Sequence, residues 1–310
     1  MRVTQNGTAN SAIYNLQQGR AKLDALQESV STQQKVNRPS DNPISSGVLM
    51  DIGDRLKALD QYSTSITKAN SWVKFTDTAL TGMTDILSQA QKLVSSINSG
   101  TTDPTIRQSA HDQLVDLKKQ IVDMANTQIG DQYIFGGANS NTPPFNTIDN
   151  SYAGAADINS TQLTIEIARG TDQAISITGD RLLLGSATAP PPNYGSTNIL
   201  DTFDNLIAAV GDKNTPTDVT NLTQGGIDLQ AGITQVTNAL GDNIARITRL
   251  DTMTKLNDNN KNMLQTMIGN LQNVDLAQLG VELSSQTNAY EASLAASAKI
   301  SQLSLLNYLP

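Results

Sequence analysis

The sequence predicts a mainly α-helical protein with a β-rich insert (α+β). Three observations carry that prediction: apolar stripes of helical spacing at both chain ends, further helical periodicity on each side of the middle, and a central stretch in which apolar and polar residues alternate. At the first end Ile13, Leu16, Leu23, Leu26 and Val30 step by three, seven, three and four along one helix face. The stripe is narrow, as a coiled-coil seam is, so this helix needs a partner. At the other end Leu276, Leu283 and Tyr290 stand seven apart with Leu279 between them, and Leu294, Ile300, Leu303 and Leu306 continue the face. Such helices are marginal alone in water, so the two are expected to pair with each other, with neighbouring subunits, or with both. The expected assembly interface is Leu16, Leu23, Leu26, Val30, Leu276, Leu279, Leu283, Tyr290, Leu294, Leu303 and Leu306.

The first helix is expected to stop at the elbow Asn37-Arg38-Pro39-Ser40-Asp41-Asn42-Pro43, because Pro39 disfavours helix at Arg38 and donates no amide. Asn42 is then a good N-cap and Pro43 suits the first helical position of the next helix. Helical spacing returns in Phe75, Leu80, Met83, Ile86, Leu87, Leu93, Val94 and Ile97, breaks at Gly100-Thr101-Thr102-Asp103-Pro104, and resumes in Leu114, Leu117, Ile121 and Met124. That spacing predicts an antiparallel pair. A further long helix is expected around Ile233, Leu240, Ile244, Ile247, Leu250 and Met253, and Trp72, Met263 and Met267 read as core or helix-contact residues. Between the helical halves Leu163, Ile165 and Ile167 alternate with polar residues, as do Ile175 and Ile177, with no helical period between Gly154 and Gly185. Gly136-Gly137 reads as the turn that enters this insert, and Pro190-Pro191-Pro192 closes it.

The expected organisation is 1–42 terminal helix and elbow, 43–135 first part of a helical middle, 136–197 β-rich insert, 198–270 second part of the middle, and 271–310 C-terminal helix. With both termini helical and paired, the insert is expected to project away from them.

Composition narrows the function. Of 310 residues only 16% are charged, against about 25% in an average soluble chain, and Asn, Gln, Ser and Thr fill the difference. Lys and Arg number 21 against 29 Asp and Glu, a net charge of -8 with no basic block, which argues against nucleic acid. No apolar run approaches the ~20 residues of a membrane span, and the N-terminus lacks the apolar centre of a secretory signal. Absence of cysteine excludes disulfides, thiolate metal sites and cysteine nucleophiles. The single histidine, His111, reads as a helical surface residue, so no catalytic, cofactor or metal site is expected. The acidic pair Asp51 and Asp54 reads as solvated charge. Two seam helices, amide-rich surfaces and no reactive constellation describe a subunit of an assembly.

Four passages resemble the bacterial flagellin-like axial proteins, most closely the hook-filament junction members. They are Met1-Arg2-Val3-Thr4, the elbow Asn37 to Pro43, Tyr133-Ile134-Phe135-Gly136-Gly137 with Pro144-Phe145, and Ser304-Leu305-Leu306-Asn307-Tyr308-Leu309. Asn273-Val274-Asp275-Leu276-Ala277 and Tyr290-Glu291-Ala292-Ser293-Leu294 fit as well, while Asn42 and Asn307 stand where an aspartate is expected. The resemblance covers both ends and the middle and does not extend to the segment from about 146 to 197, as expected of a family whose exposed domain varies. It implies an elongated architecture in which the terminal helices form a coiled coil. It also implies a non-enzymatic adaptor between hook-associated protein 1 and the first flagellin subunits, exported by the flagellar type III system with a chaperone and set in a ring of like subunits outside the cell. Two alternatives remain open: flagellin itself, and a secreted cell-wall enzyme with its site in the insert, although the one histidine lies outside that insert.

Overall fold

The computed structural model describes residues 5–98, 103–146, 149, 151–154, 162–185, 193–212 and 217–306. Helix α1 spans Gln5–Thr32, α2 Pro43–Asn98, α3 Pro104–Ala125, α4 Ile199–Val210, α5 Val219–Gln272 and α6 Leu276–Leu306. Two antiparallel hairpins, β1 (Gln128–Ile129) with β2 (Gln132–Tyr133) and β3 (Thr164–Ala168) with β4 (Thr171–Ala174), and a π-helical turn at Asp180–Leu184 complete the described elements. The protein is mostly helical with small sheets, as its periodicity predicts.

Short polar side chains start the helices. Asn42 accepts from the Ser45 amide at 3.1 Å before Pro43, and Asp103 accepts from Thr105 at 2.7 Å before Pro104. Asn198, Asp218 and Asp275 cap α4, α5 and α6 in the same way. The end of α1 departs from expectation. It stops at Thr32, not at the proline elbow, because Gln33 turns into the left-handed region at φ 57°. The Thr32 hydroxyl donates to the Glu28 carbonyl at 2.9 Å and accepts from the Gln34 amide at 3.3 Å, which closes the last turn.

The chain forms two compact units, one made of residues 1–58 with 259–310 and the other of 59–258. Their boundaries fall inside α2 and α5, whereas the caps at 42/43 and 275/276 delimit helices. The larger unit holds an apolar core of Ile66, Val73, Leu80, Met83 and Leu87 from α2, Leu114 and Ile121 from α3, Phe203 and Leu206 from α4, and Leu229, Val236 and Leu250 from α5. Trp72 is buried with them, but Phe75, Met263 and Met267 are exposed, contrary to the periodicity, since they sit on the outer faces of α2 and α5.

Strand structure is present where the alternation predicts it. Among the described residues it is the β3–β4 hairpin, with a bulge between Glu166 and Ala168, followed by the π turn. Its Ile167, Ile175, Ile177, Leu182 and Leu183 enter the same core as the helices. The β1–β2 hairpin precedes the expected entry at Gly136-Gly137, and strands of two residues each are too short to show a period in the sequence. After β2 the chain folds back: the Phe145 and Tyr152 rings meet at a tilt of 56° with centroids 5.2 Å apart, Asn126 clamps the Phe145 backbone at 2.9 and 3.0 Å, and the Phe135 carbonyl accepts from the Tyr152 hydroxyl and the Gly179 amide. A Cβ on Gly179 would lie 2.5 Å from the Phe145 ring, so only glycine fits there. Pro190-Pro191-Pro192 and Gly100 to Thr102 lie outside the described residues.

Candidate assembly interface

The terminal helices α1 and α6 pack against each other in the smaller unit. Their less exposed positions repeat in steps of four and three: Ala12, Leu16, Gly19, Leu23 and Leu26 on α1, and Leu279, Leu283, Gln286, Tyr290, Ser293 and Ser297 on α6. Of the residues expected at an interface, Leu16, Leu23, Leu26, Leu279, Leu283 and Tyr290 therefore lie on this seam, with Leu279 only 5% exposed. Val30, Leu276 and Leu294 do not, at 38%, 52% and 44% exposed, and Ile13 lies outside it too. Leu276 is the first residue of α6, and Leu294 stands one residue past the seam position Ser293. Leu303 and Leu306 belong to α6, but their side chains lie outside the described part, as do residues 1–4 and 307–310.

Gly19, Gln286, Ser293 and Ser297 on this seam carry no apolar signal, and the first two are in contact with the facing helix. Gly19 sits under the Tyr290 ring, where a Cβ would come within 3.3 Å of Cδ2, and the Gln286 side-chain amide donates to the Gly19 carbonyl at 3.2 Å. The heptad steps through Leu16, Leu23 and Leu26 were the only signal that could have marked Gly19.

At the base of the pair the two linkers meet. Gln34 bridges Asn273 in antiparallel fashion and the Lys35 amide donates to the Gln272 carbonyl at 2.6 Å, with Val36 buried beside them. The elbow that follows closes on itself. Asp41 accepts from the Asn37 amide at 3.0 Å and the Arg38 amide at 2.8 Å, while its own amide donates to the Arg38 carbonyl. The Arg38 guanidinium reaches back to Glu28 at 3.1 Å. These donated bonds, that of Arg38 first, hold the Asp41 carboxyl below its ordinary value. Pro39, Ser40, Asn42 and Pro43 are exposed around it.

The rest of the chemistry on the surface is bland. Asp51 pairs with Arg55 and Asp54 with Lys57, both in solvent, and His111 on α3 lies 3.2 Å from Asp112. Among the described residues no three His, Asp or Glu side chains group to hold a metal, and no helix is long and apolar enough to cross a membrane.

Comparison with known proteins places these features. Residues 3–140 match the bacterial flagellin N-terminal helical region. The chain is 28% identical to flagellar hook-associated protein 3 of Escherichia coli over 188 residues, 59% of this chain and 58% of that protein. It is 24% identical to flagellar hook-associated protein 3 of Salmonella typhimurium over 225 residues, 72% of this chain and 69% of that one. In fold it is similar to the crystal structure of Xanthomonas campestris FlgL, with a TM-score of 0.59 at 16% identity, covering 70% of this chain and 99% of that one. The resemblance read from the sequence is thus found independently, and this chain is similar to flagellar hook-associated protein 3, with a match to the flagellin N-terminal helical region over residues 3–140.

Proposed function

We propose that this chain is a non-enzymatic structural adaptor of the bacterial flagellum, joining the hook, through hook-associated protein 1, to the first flagellin subunits. The observation that carries this reading is the pairing of α1 with α6 by a thin heptad seam, in a chain similar to two proteins named for the hook. The seam leaves Val30, Leu276, Val281 and Leu294 exposed on the same helices, apolar area that lateral neighbours in a ring of like subunits would cover. In this reading the terminal pair is a coiled coil completed on docking, and the elbow from Asn37 to Pro43 sets its direction. The subunit leaves the cell through the flagellar type III channel with its chaperone and acts outside it. A charged fraction of 16% and a surface of amides and hydroxyls suit contacts that must form without strong desolvation cost.

The test is deletion of the gene, with electron microscopy of the hooks and detection of flagellin in the medium. The expected outcome is bare hooks with flagellin accumulating free outside the cell. Bare hooks with no flagellin in the medium would instead assign the chain as the filament subunit, and normal filaments would overturn both.

A further inference from the structure

We propose that Gly19, Gln286 and Tyr290 fix the register of the terminal helix pair; the inference rests on the pair being the assembly interface and names what positions it. Leucines alone cannot do this. Leu16 and Leu23 on α1, like Leu276 and Leu283 on α6, repeat at seven residues, so sliding one helix by a heptad again sets leucine near leucine. The three residues break that equivalence. Gly19 leaves a gap that the Tyr290 ring fills so closely that a Cβ would lie 3.3 Å from Cδ2, and the bared Gly19 carbonyl accepts from Gln286 at 3.2 Å. A heptad slip would carry Tyr290 against Ala12 in one direction and Leu26 in the other, taking the ring from the glycine gap it fits and separating Gln286 from the Gly19 carbonyl.

A second contact agrees with this register. Fifteen residues on from Gly19 is Gln34, and fifteen residues back from the midpoint of Gln286 and Tyr290 is Asn273, the residue Gln34 bridges. The linker bridge at the base and the glycine-tyrosine contact along the seam therefore specify one alignment from two places. A glutamine and a tyrosine at the seam give up apolar burial, which is the usual cost of a register-setting polar position.

The chain has no cysteine, so an introduced pair reports one distance without interference. In the full-length purified protein, Leu23→Cys with Leu283→Cys reads the observed register, and Leu23→Cys with Leu276→Cys reads a slip of one heptad. With the native seam the first pair should cross-link through a short bis-maleimide and the second hardly at all. Tyr290→Ala should raise the slipped link by roughly fivefold or more. Gly19→Ala, which favours helix and so keeps the pair folded, should raise it as well. Tyr290→Phe, which keeps the ring, should restore the native pattern. A slipped link unchanged in both Ala variants would overturn the proposal. So would loss of both links in Tyr290→Ala with loss of helical signal, which would make the tyrosine a stability residue only. The readout is on the isolated chain, so it stands or falls separately from the gene-deletion result.

Discussion

Arg246 is almost fully buried on α5, yet it ends in two polar contacts, donating to the Ser176 carbonyl at 2.8 Å and to Asp242 at 2.7 Å. The Tyr194 hydroxyl donates to the same carboxylate at 2.8 Å. About three turns before Arg246, Gln235 donates to the carbonyls of Leu182 and Thr197, and about two turns before it Asn238 donates to that of Tyr194. A polar face of one helix thus satisfies the backbone of the insert, which is how irregular chain can lie against a core. None of these residues was legible in the sequence, because their partners are backbone groups about forty to seventy positions away, and a polar residue in a helix carries no mark of the carbonyl it will meet. Burial drives the prediction. Desolvation first, with nearby carboxylates, raises both Tyr194 and Tyr152 above the ordinary phenol value of 10.0. The folded chain then keeps protons that the unfolded chain releases, so their stabilising contribution is whole below pH 10 and is lost as pH rises above it. Melting temperatures from pH 8 to pH 11 should fall less steeply in the Tyr152→Phe, Tyr194→Phe double variant than in the native chain. At pH 8 each substitution should cost about 1 kcal/mol. An identical fall in both proteins would refute the assignment.

At the scale of elements, legibility followed the length of the pattern. The long helices, the Asn42 cap and the alternation of β3 could be read because many residues repeat one period or because a cap has its own chemistry. The end of α1 could not, since a single left-handed residue decides it and Gln33 is neither glycine nor asparagine. The seam was legible by half: its leucines were found, while Gly19, Gln286, Ser293 and Ser297 were missed because the pattern sought apolar side chains and these positions are occupied by other chemistry. Gln33 gives the second prediction. A non-glycine residue at φ 57° is held in a conformation that costs about 1 kcal/mol or more, and glycine escapes that cost while losing more unfolded-state entropy. Gln33→Gly should therefore stabilise the smaller unit by roughly 0.5 kcal/mol, read as a shift in the urea midpoint of the helical signal. A lower midpoint would show that the Gln33 side chain contributes something its exposed position does not reveal.

For the whole molecule the two units are unequal in what they bury. Among the described residues the smaller unit has Val36, Ile52, Leu264 and Leu279 as its buried apolar side chains, whereas the larger has a core running from Ile66 to Leu250. Ordering a residue costs on the order of 1–2 kcal/mol in backbone entropy, so long helices with so little buried area gain stability chiefly from what they dock against. Assembly would then complete the smaller unit, and the free subunit should lose it first. The chain offers a clean way to see this. Its single tryptophan, Trp72, is 6% exposed inside the larger unit, so its fluorescence reports that unit alone, while the circular dichroism of helices reports both. In dilute solution the helical signal should begin to fall at a lower temperature than the tryptophan signal, and limited proteolysis at the onset should leave a fragment near 59–258. Coincident transitions, with no fragment, would mean that α2 and α5, which run through both boundaries, couple the units into one cooperative fold. The terminal helices would then be as stable before docking as after it, and assembly would add contacts to the smaller unit rather than complete it.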